Sequence, residues 1–201
     1  MGLNVFFNVQ GEGRGHIMQA VAVAELLRDA GHRVSGAHFG LGEESVIPSF
    51  VEERLQCAVM AHSSPALKMN MSSKEIDMVS TTLTAGRLSL DYVKSVRQID
   101  RAIHKSQPDV IVNFYEPLLG FLSTGHVPKV AIAHQYMFFH PCYPYSAGTR
   151  LQREGMLLFT RLTAKGADRK LALSLYQTHD LPERRIKVVP PILRRDLFAL
   201  H

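Results

Sequence analysis

The chain has 201 residues, 46% of them hydrophobic, enough for one large domain or two very small ones and too apolar for a disordered polypeptide. A formal net charge of +5 and a sequence pI near 9.4 favour anionic partners, without choosing among phosphorylated ligands, acidic lipid headgroups and nucleic acid. Cys57 and Cys142 stand in no metal-ligand spacing, so a reduced, cytoplasmic protein is expected, and no apolar run reaches the roughly 18 residues of a membrane span.

The opening MGLNVFFNVQ has no basic leader region and enters a strand pattern at once, so no signal peptide is expected. Phe6 stands where the myristoylation pattern needs Ser or Thr. Leu3 to Val9 reads as a buried strand, short, apolar and bounded by glycine. Ile17, Ala20, Val21, Ala24 and Leu27 then fall at helical spacing, and Gly31 supplies a stop. Arg33 to Phe39 gives a second strand and Leu55 to Ala61 a third. The longest stretch without strand signals, His62 to Gln107, opens with SSPALKMNMSSKE, a polar segment containing Pro65 that reads as a mobile loop at the third strand's carboxyl end. Val93, Val96, Ile99, Ala102 and Ile103 mark a helix that ends at Gln107-Pro108. Strands follow at Asp109 to Phe114, Lys129 to Ala133, Lys170 to Leu175 and Ile186 to Val189, with a helix between marked by Leu151, Leu158 and Leu162.

Short apolar strands alternating with helices predict an α/β fold, a Rossmann-like, doubly wound parallel sheet of six or seven strands with helices on both faces. One domain over residues 1–190 accommodates all of it, and residues 191–201 read as the start of a linker.

NVQGEGRGH, Asn8 to His16, follows the first strand and opens the first helix. A dinucleotide fingerprint would place its third glycine where His16 stands and an acid at the end of the second strand, but that strand ends HFGLG, with Glu43 and Glu44 too late. The G-K-[ST] of a phosphate loop is absent. What remains is a loop of Gly11, Gly13, Arg14 and Gly15 whose backbone can approach a ligand closely. The positive end of the following helix favours an anion or a polarised oxygen. His16, in the first turn, is placed to stay neutral and accept a proton from a hydroxyl.

GEGRGHIMQAVAVAELLRDAGHRV resembles the opening of GT-B glycosyltransferases of the peptidoglycan N-acetylglucosaminyltransferase and UDP-glucuronosyltransferase type. Those begin with a strand, a G-x-G-x-G-H loop or close variant, and an alanine-rich helix ending in GH-x-V; here Gly15-His16 and Gly31-His32-Arg33-Val34 are kept. QPDVIVNFYEP, HVPKVAIAHQYMFFHP and IKVVPPILRRDLF resemble later parts of the same N-terminal half. The resemblance implies two Rossmann-like domains facing a cleft, the first holding the acceptor and the second the nucleotide-sugar donor. Only the first is present in these 201 residues, so the donor half is expected on further sequence or on a separate subunit. It also implies an inverting transferase in which a carboxylate after the fourth strand, here Glu116, orients His16; Asn113 is the rival for that role.

His32 reads as a turn residue, and the aromatic segment after the fifth strand offers His134, Gln135 and Tyr136 as an acceptor pocket together with Asn113 of the fourth strand. The His134–His140 spacing gives no metal site, and neither metal nor cofactor is expected. Arg150, Arg153, Arg161 and Lys165 fall within an arc of roughly 120° beside Leu158 and Leu162, a face suited to an anionic membrane surface. No nucleic-acid module is present. Two classes of function follow: the acceptor-binding half of a sugar transferase acting on a small-molecule or lipid acceptor, and a non-catalytic scaffold or membrane-recruiting subunit with the same fold.

Overall fold

The computed structural model describes residues 2–42, 45–66, 77–145 and 150–194. Seven strands, β1 (Asn4–Gln10), β2 (Arg33–Leu41), β3 (Val59–Ser63), β4 (Val110–Phe114), β5 (Lys129–Ala133), β6 (Arg169–Leu173) and β7 (Ile186–Val189), form one sheet. Their order is β3-β2-β1-β4-β5-β6-β7, and every neighbouring pair is parallel. The expected doubly wound architecture is therefore present, with strand order reversing between β1 and β4. Ligands of open parallel sheets bind at such a reversal, outside the carboxyl ends of the strands.

Alternation along β1 sorts the two faces. Val5, Phe7 and Val9 point to one side, where they pack with Ile17, Ala20, Val21 and Ala24 of α1 (Arg14–Asp29). Phe6 points to the other, against Ile99 and Ile103 of α4 (Ser89–Ser106) and Leu118 and Leu119 of a 3-10 turn. α1 stops where expected: Gly31 takes φ +77°, and the His32 amide donates back to the Leu27 carbonyl. His32 itself accepts the Leu3 amide at Nδ1, tying the turn to the start of β1.

Four expectations are corrected. The third strand is not Leu55–Ala61; Leu55 closes a short helix, α2 (Phe50–Leu55), and β3 begins at Val59 after a left-handed residue, Gln56. The stretch from His62 to Gln107 holds a second helix, α3 (Met78–Arg87), whose N-cap Asp77 accepts the Ser80 amide. In α5 (Arg150–Thr163), Leu158 does not face the core: it is 57% exposed, while Leu157, Phe159, Thr160 and Thr163 are buried. β6 ends at Leu173, two residues earlier than expected. Glu43, Glu44, most of SSPALKMNMSSKE, the side chain of Leu151 and the linker beyond Arg194 lie outside the described residues.

Candidate active site at the carboxyl edge of the sheet

The glycine loop joins β1 to α1 along the carboxyl edge. A Cβ on Gly11 would collide with the Leu41 side chain and the Gly40 carbonyl, so this glycine lets β1 and β2 close together. Gly13 caps α1 with φ +77°, a conformation L side chains rarely adopt. Nothing lies within 4 Å of the Cβ positions of Gly13 and Gly15, so no packing explains their lack of side chains. The first turn of α1 has neither a side-chain cap nor an acid, which leaves its positive end uncompensated. Arg14 is exposed beside it.

His16 sits in the first turn of this helix and is only 7% exposed. Its ring stacks on Tyr115 (5.3 Å between centroids, 22°) and on His134 (6.0 Å, 10°). Its Nδ1 lies 3.3 Å from Gln19 Oε1, and its Nε2 lies 3.3 Å from Gln135 Nε2. Burial, reinforced by the neighbouring His134, lowers its pKa from 6.5 to about 4, the Gln19 contact opposing slightly. The imidazole is neutral at physiological pH. Burial lowers His134 in the same direction. Tyr115, beneath His16, has a positive φ of 62° and donates to or accepts from the Thr160 hydroxyl at 2.7 Å, so α5 fixes the floor on which His16 rests.

Glu116 lies elsewhere. Its carboxylate is fully buried on the α4 side of the sheet. Oε2 accepts from Asn8 Nδ2 at 2.5 Å and from the Leu119 amide at 3.1 Å. Oε1 accepts from the Ser64 hydroxyl at 2.6 Å and faces His62 Nε2 at 3.4 Å. Contact with His16, which α1 carries on the opposite side, is not required of such a carboxylate before substrate binds, and it is not among these hydrogen bonds. Nor does Asn113 supply it: its amide donates to the Glu116 and Thr163 carbonyls, and its oxygen accepts the Glu116 amide. Of the four residues offered as an acceptor pocket, His134 and Gln135 reach His16, whereas Asn113 and Tyr136 are buried, the Tyr136 hydroxyl donating to the Thr163 carbonyl.

Gln19 was missed in the sequence reading, although it stands three residues after His16, a spacing that puts two side chains on one helical face. A cavity of about 980 Å³ opens next to this pair. Gln19 and His134 form part of its wall, with Met137, Phe138, Tyr143, Leu173, Tyr176 and Ile192. Among the described residues no Lys, Arg, Asp or Glu lines it. His140 pins one side, its Nδ1 accepting the Cys142 amide and its Nε2 donating to the His179 carbonyl. No group of three His, Cys, Asp or Glu among the described residues is placed to hold a metal ion.

The chain matches the family model described as "Glycosyl transferase family 1" over residues 3–201. No curated protein matches it in sequence. Among solved structures, Phytolacca americana UGT2, complexed with UDP-2fluoro-glucose and pterostilbene, is similar with a TM-score of 0.60 and 14% identity, covering 98% of this chain and 56% of that one. The glycotransferase of kitacinnamycin is similar with a TM-score of 0.56 and 15% identity, covering 96% and 52%. Arabidopsis thaliana UGT89C1 complexed with quercetin gives 0.53 and 14%, covering 96% and 51%. The chain thus spans about half the length of these structures. The resemblance read from the glycine loop holds at the level of family and fold.

Proposed function

The chain belongs to glycosyl transferase family 1, and from that premise we propose that it is the acceptor-binding half of an inverting, nucleotide-sugar-dependent glycosyltransferase. Residues 1–190 form the acceptor half, and residues 191–201 lead towards a donor-binding domain or subunit. One observation carries this reading: a buried, neutral histidine at the glycine loop shares two neighbours, Gln19 and His134, with a large uncharged cavity. The cavity suits an apolar acceptor bearing a hydroxyl. That hydroxyl gives its proton to His16 while its oxygen attacks the anomeric carbon, and the bond from that carbon to the nucleotide diphosphate breaks with its electron pair leaving on the diphosphate. A single displacement of this kind inverts the anomeric centre. The Gly13–Gly15 turn, with open space at the Cβ positions of both glycines and no side-chain cap at the positive end of α1, suits an anionic donor.

Transfer needs donor carbon and acceptor oxygen within about 3–3.5 Å and in line with the leaving group. The groups that stabilise the departing diphosphate belong to the other half, so residues 1–201 alone should transfer no sugar. Calorimetric titration of UDP-sugars into the isolated chain should show no tight binding, and turnover should appear only when the donor half is added. Tight donor binding or multiple turnover by the isolated chain would overturn the half-enzyme reading.

A membrane-recruiting role is the second reading, and it places the cytoplasmic enzyme at a lipid surface. Phe121 is 56% exposed with the Lys165 ammonium 5.0 Å above its ring, and α5, which packs against the turn that carries Phe121, exposes Leu158 and Arg161. Apolar groups ringed by cations suit an anionic headgroup layer. No helix among the described residues is long and apolar enough to cross a membrane. In flotation assays the chain should rise with phosphatidylserine vesicles and stay behind with pure phosphatidylcholine, and Leu158→Glu should abolish flotation. Equal behaviour with both lipids would remove this reading.

A further inference from the structure

Resting on His16 as the base, we infer that Gln19 and Gln135 are its positioning residues: their two side-chain amides fix the imidazole with its proton on Nδ1 and its lone pair on Nε2, where the Gln135 amide holds the place that the acceptor hydroxyl takes over. A carboxamide oxygen only accepts and a carboxamide nitrogen only donates. Gln19 Oε1 at 3.3 Å therefore requires a proton on Nδ1, and Gln135 Nε2 at 3.3 Å requires a lone pair on Nε2. Together they admit one neutral tautomer.

Reversing both amides would satisfy the ring in the other tautomer, with Nε2 protonated and useless as a base. The surroundings of Gln135 weigh against it. Its outer amide atom, Oε1, is buried without a hydrogen-bond partner among the described residues. Reversal would put the NH2 group there, exchanging one unpaired acceptor for two unpaired donors, and buried orphan donors are the rarer and costlier defect. The same geometry explains how the site manages without a carboxylate beside the ring. Glu116 is held by Asn8, Ser64 and the Leu119 amide, and the parallel His134 ring opposes a second positive charge. Neutral amides orient His16 without drawing a proton onto it.

The tautomer is read directly by two-bond nitrogen–proton correlation spectra of the histidine side chains in the 201-residue chain. At pH 7, His16 should show a protonated Nδ1 and a bare Nε2. Gln19→Leu should turn this into a mixture, and Gln135→Met should do so independently if the first variant folds poorly. Gln19→Glu sets a carboxylate against Nδ1 and should raise the His16 titration midpoint by about 1–3 units. In the two-domain enzyme, Gln19→Leu should lower kcat about tenfold with acceptor KM unchanged, while Gln19→Glu keeps turnover and moves its acid limb upward. A protonated Nε2 in the parent chain, or an unchanged tautomer in both Gln19→Leu and Gln135→Met, would overturn the inference. These spectra report the tautomer whether or not His16 is the base, whereas His16→Ala kinetics test the base itself, so the two failures are separable.

Discussion

Replacing His16 with Ala in the two-domain enzyme should lower turnover by about 10²–10⁴-fold, the usual contribution of a positioned general base, and change donor affinity little. The reason is chemical. In the proposed tautomer Nε2 is a buried, unprotonated nitrogen beside the glycine loop, and two neighbours of its ring, Gln19 and His134, form part of the cavity wall. The pH profile carries a second signature. With the folded pKa near 4, the lone pair survives well below the 6.5 of a free imidazole, so the acid limb of kcat/KM should fall near pH 4. Stability runs in the same direction. Between pH 6.5 and about 4 the unfolded chain binds protons that folded His16 refuses, and His38, also lowered to about 4 by burial, behaves alike. Stability therefore falls as pH drops through that window, and rates there must be taken on protein shown to be folded. An acid limb near 6.5, or full turnover in His16→Ala, would remove His16 from the mechanism.

Most of the sheet was legible because its strands are buried on both faces and stand out as apolar runs against amphipathic helices. The errors share a physical cause. Leu55 to Ala61 is apolar, and periodicity cannot separate a short buried strand from the end of a short helix. The structure places Leu55 under α1 and starts β3 only at Val59. In α5 the core-facing positions include Thr160 and Thr163, whose hydroxyls bond to the Met156 and Thr160 carbonyls. Side chains of that kind read as surface in a sequence, so the stripe was assigned to leucines, of which Leu158 turns outward.

In the site, the place of His16 and its loop at the carboxyl edge was legible from the glycines that follow the first strand. The partner of His16 was not. A carboxylate after the fourth strand was the chemically attractive choice, but sequence does not say which side of a strand end such a residue leaves from. Asn8 settles it: alternating with Phe6, it projects to the α4 side and takes Glu116 with it. Gln19 was within reach at helical spacing, but Gln135 lies 119 positions from His16, and only the folded sheet brings the two together.

Glu116→Ala should therefore act on the fold, not on the proton. Its carboxylate, completely buried, accepts from β1 through Asn8, from the segment after β3 through Ser64, and from the turn after β4 through the Leu119 amide, with His62 of β3 facing it. It joins the carboxyl ends of three strands at one point. Truncation leaves these donors buried and unpaired, and losses of this kind cost about 3–5 kcal/mol. For a domain of this size that corresponds to a fall in Tm of roughly 6–20 °C. Glu116→Gln keeps the shape, but its NH2 would meet two donors at the Oε2 position and at the Oε1 position would need the Ser64 hydroxyl to turn and accept, so it should not rescue stability fully. Thermal unfolding of both variants, with turnover measured well below their transitions, decides the matter. A Glu116 that oriented His16 would leave Tm near the parent value and cut turnover as deeply as His16→Ala. The buried network requires the reverse: a large loss of Tm, and a turnover per folded molecule far closer to the parent than that of His16→Ala.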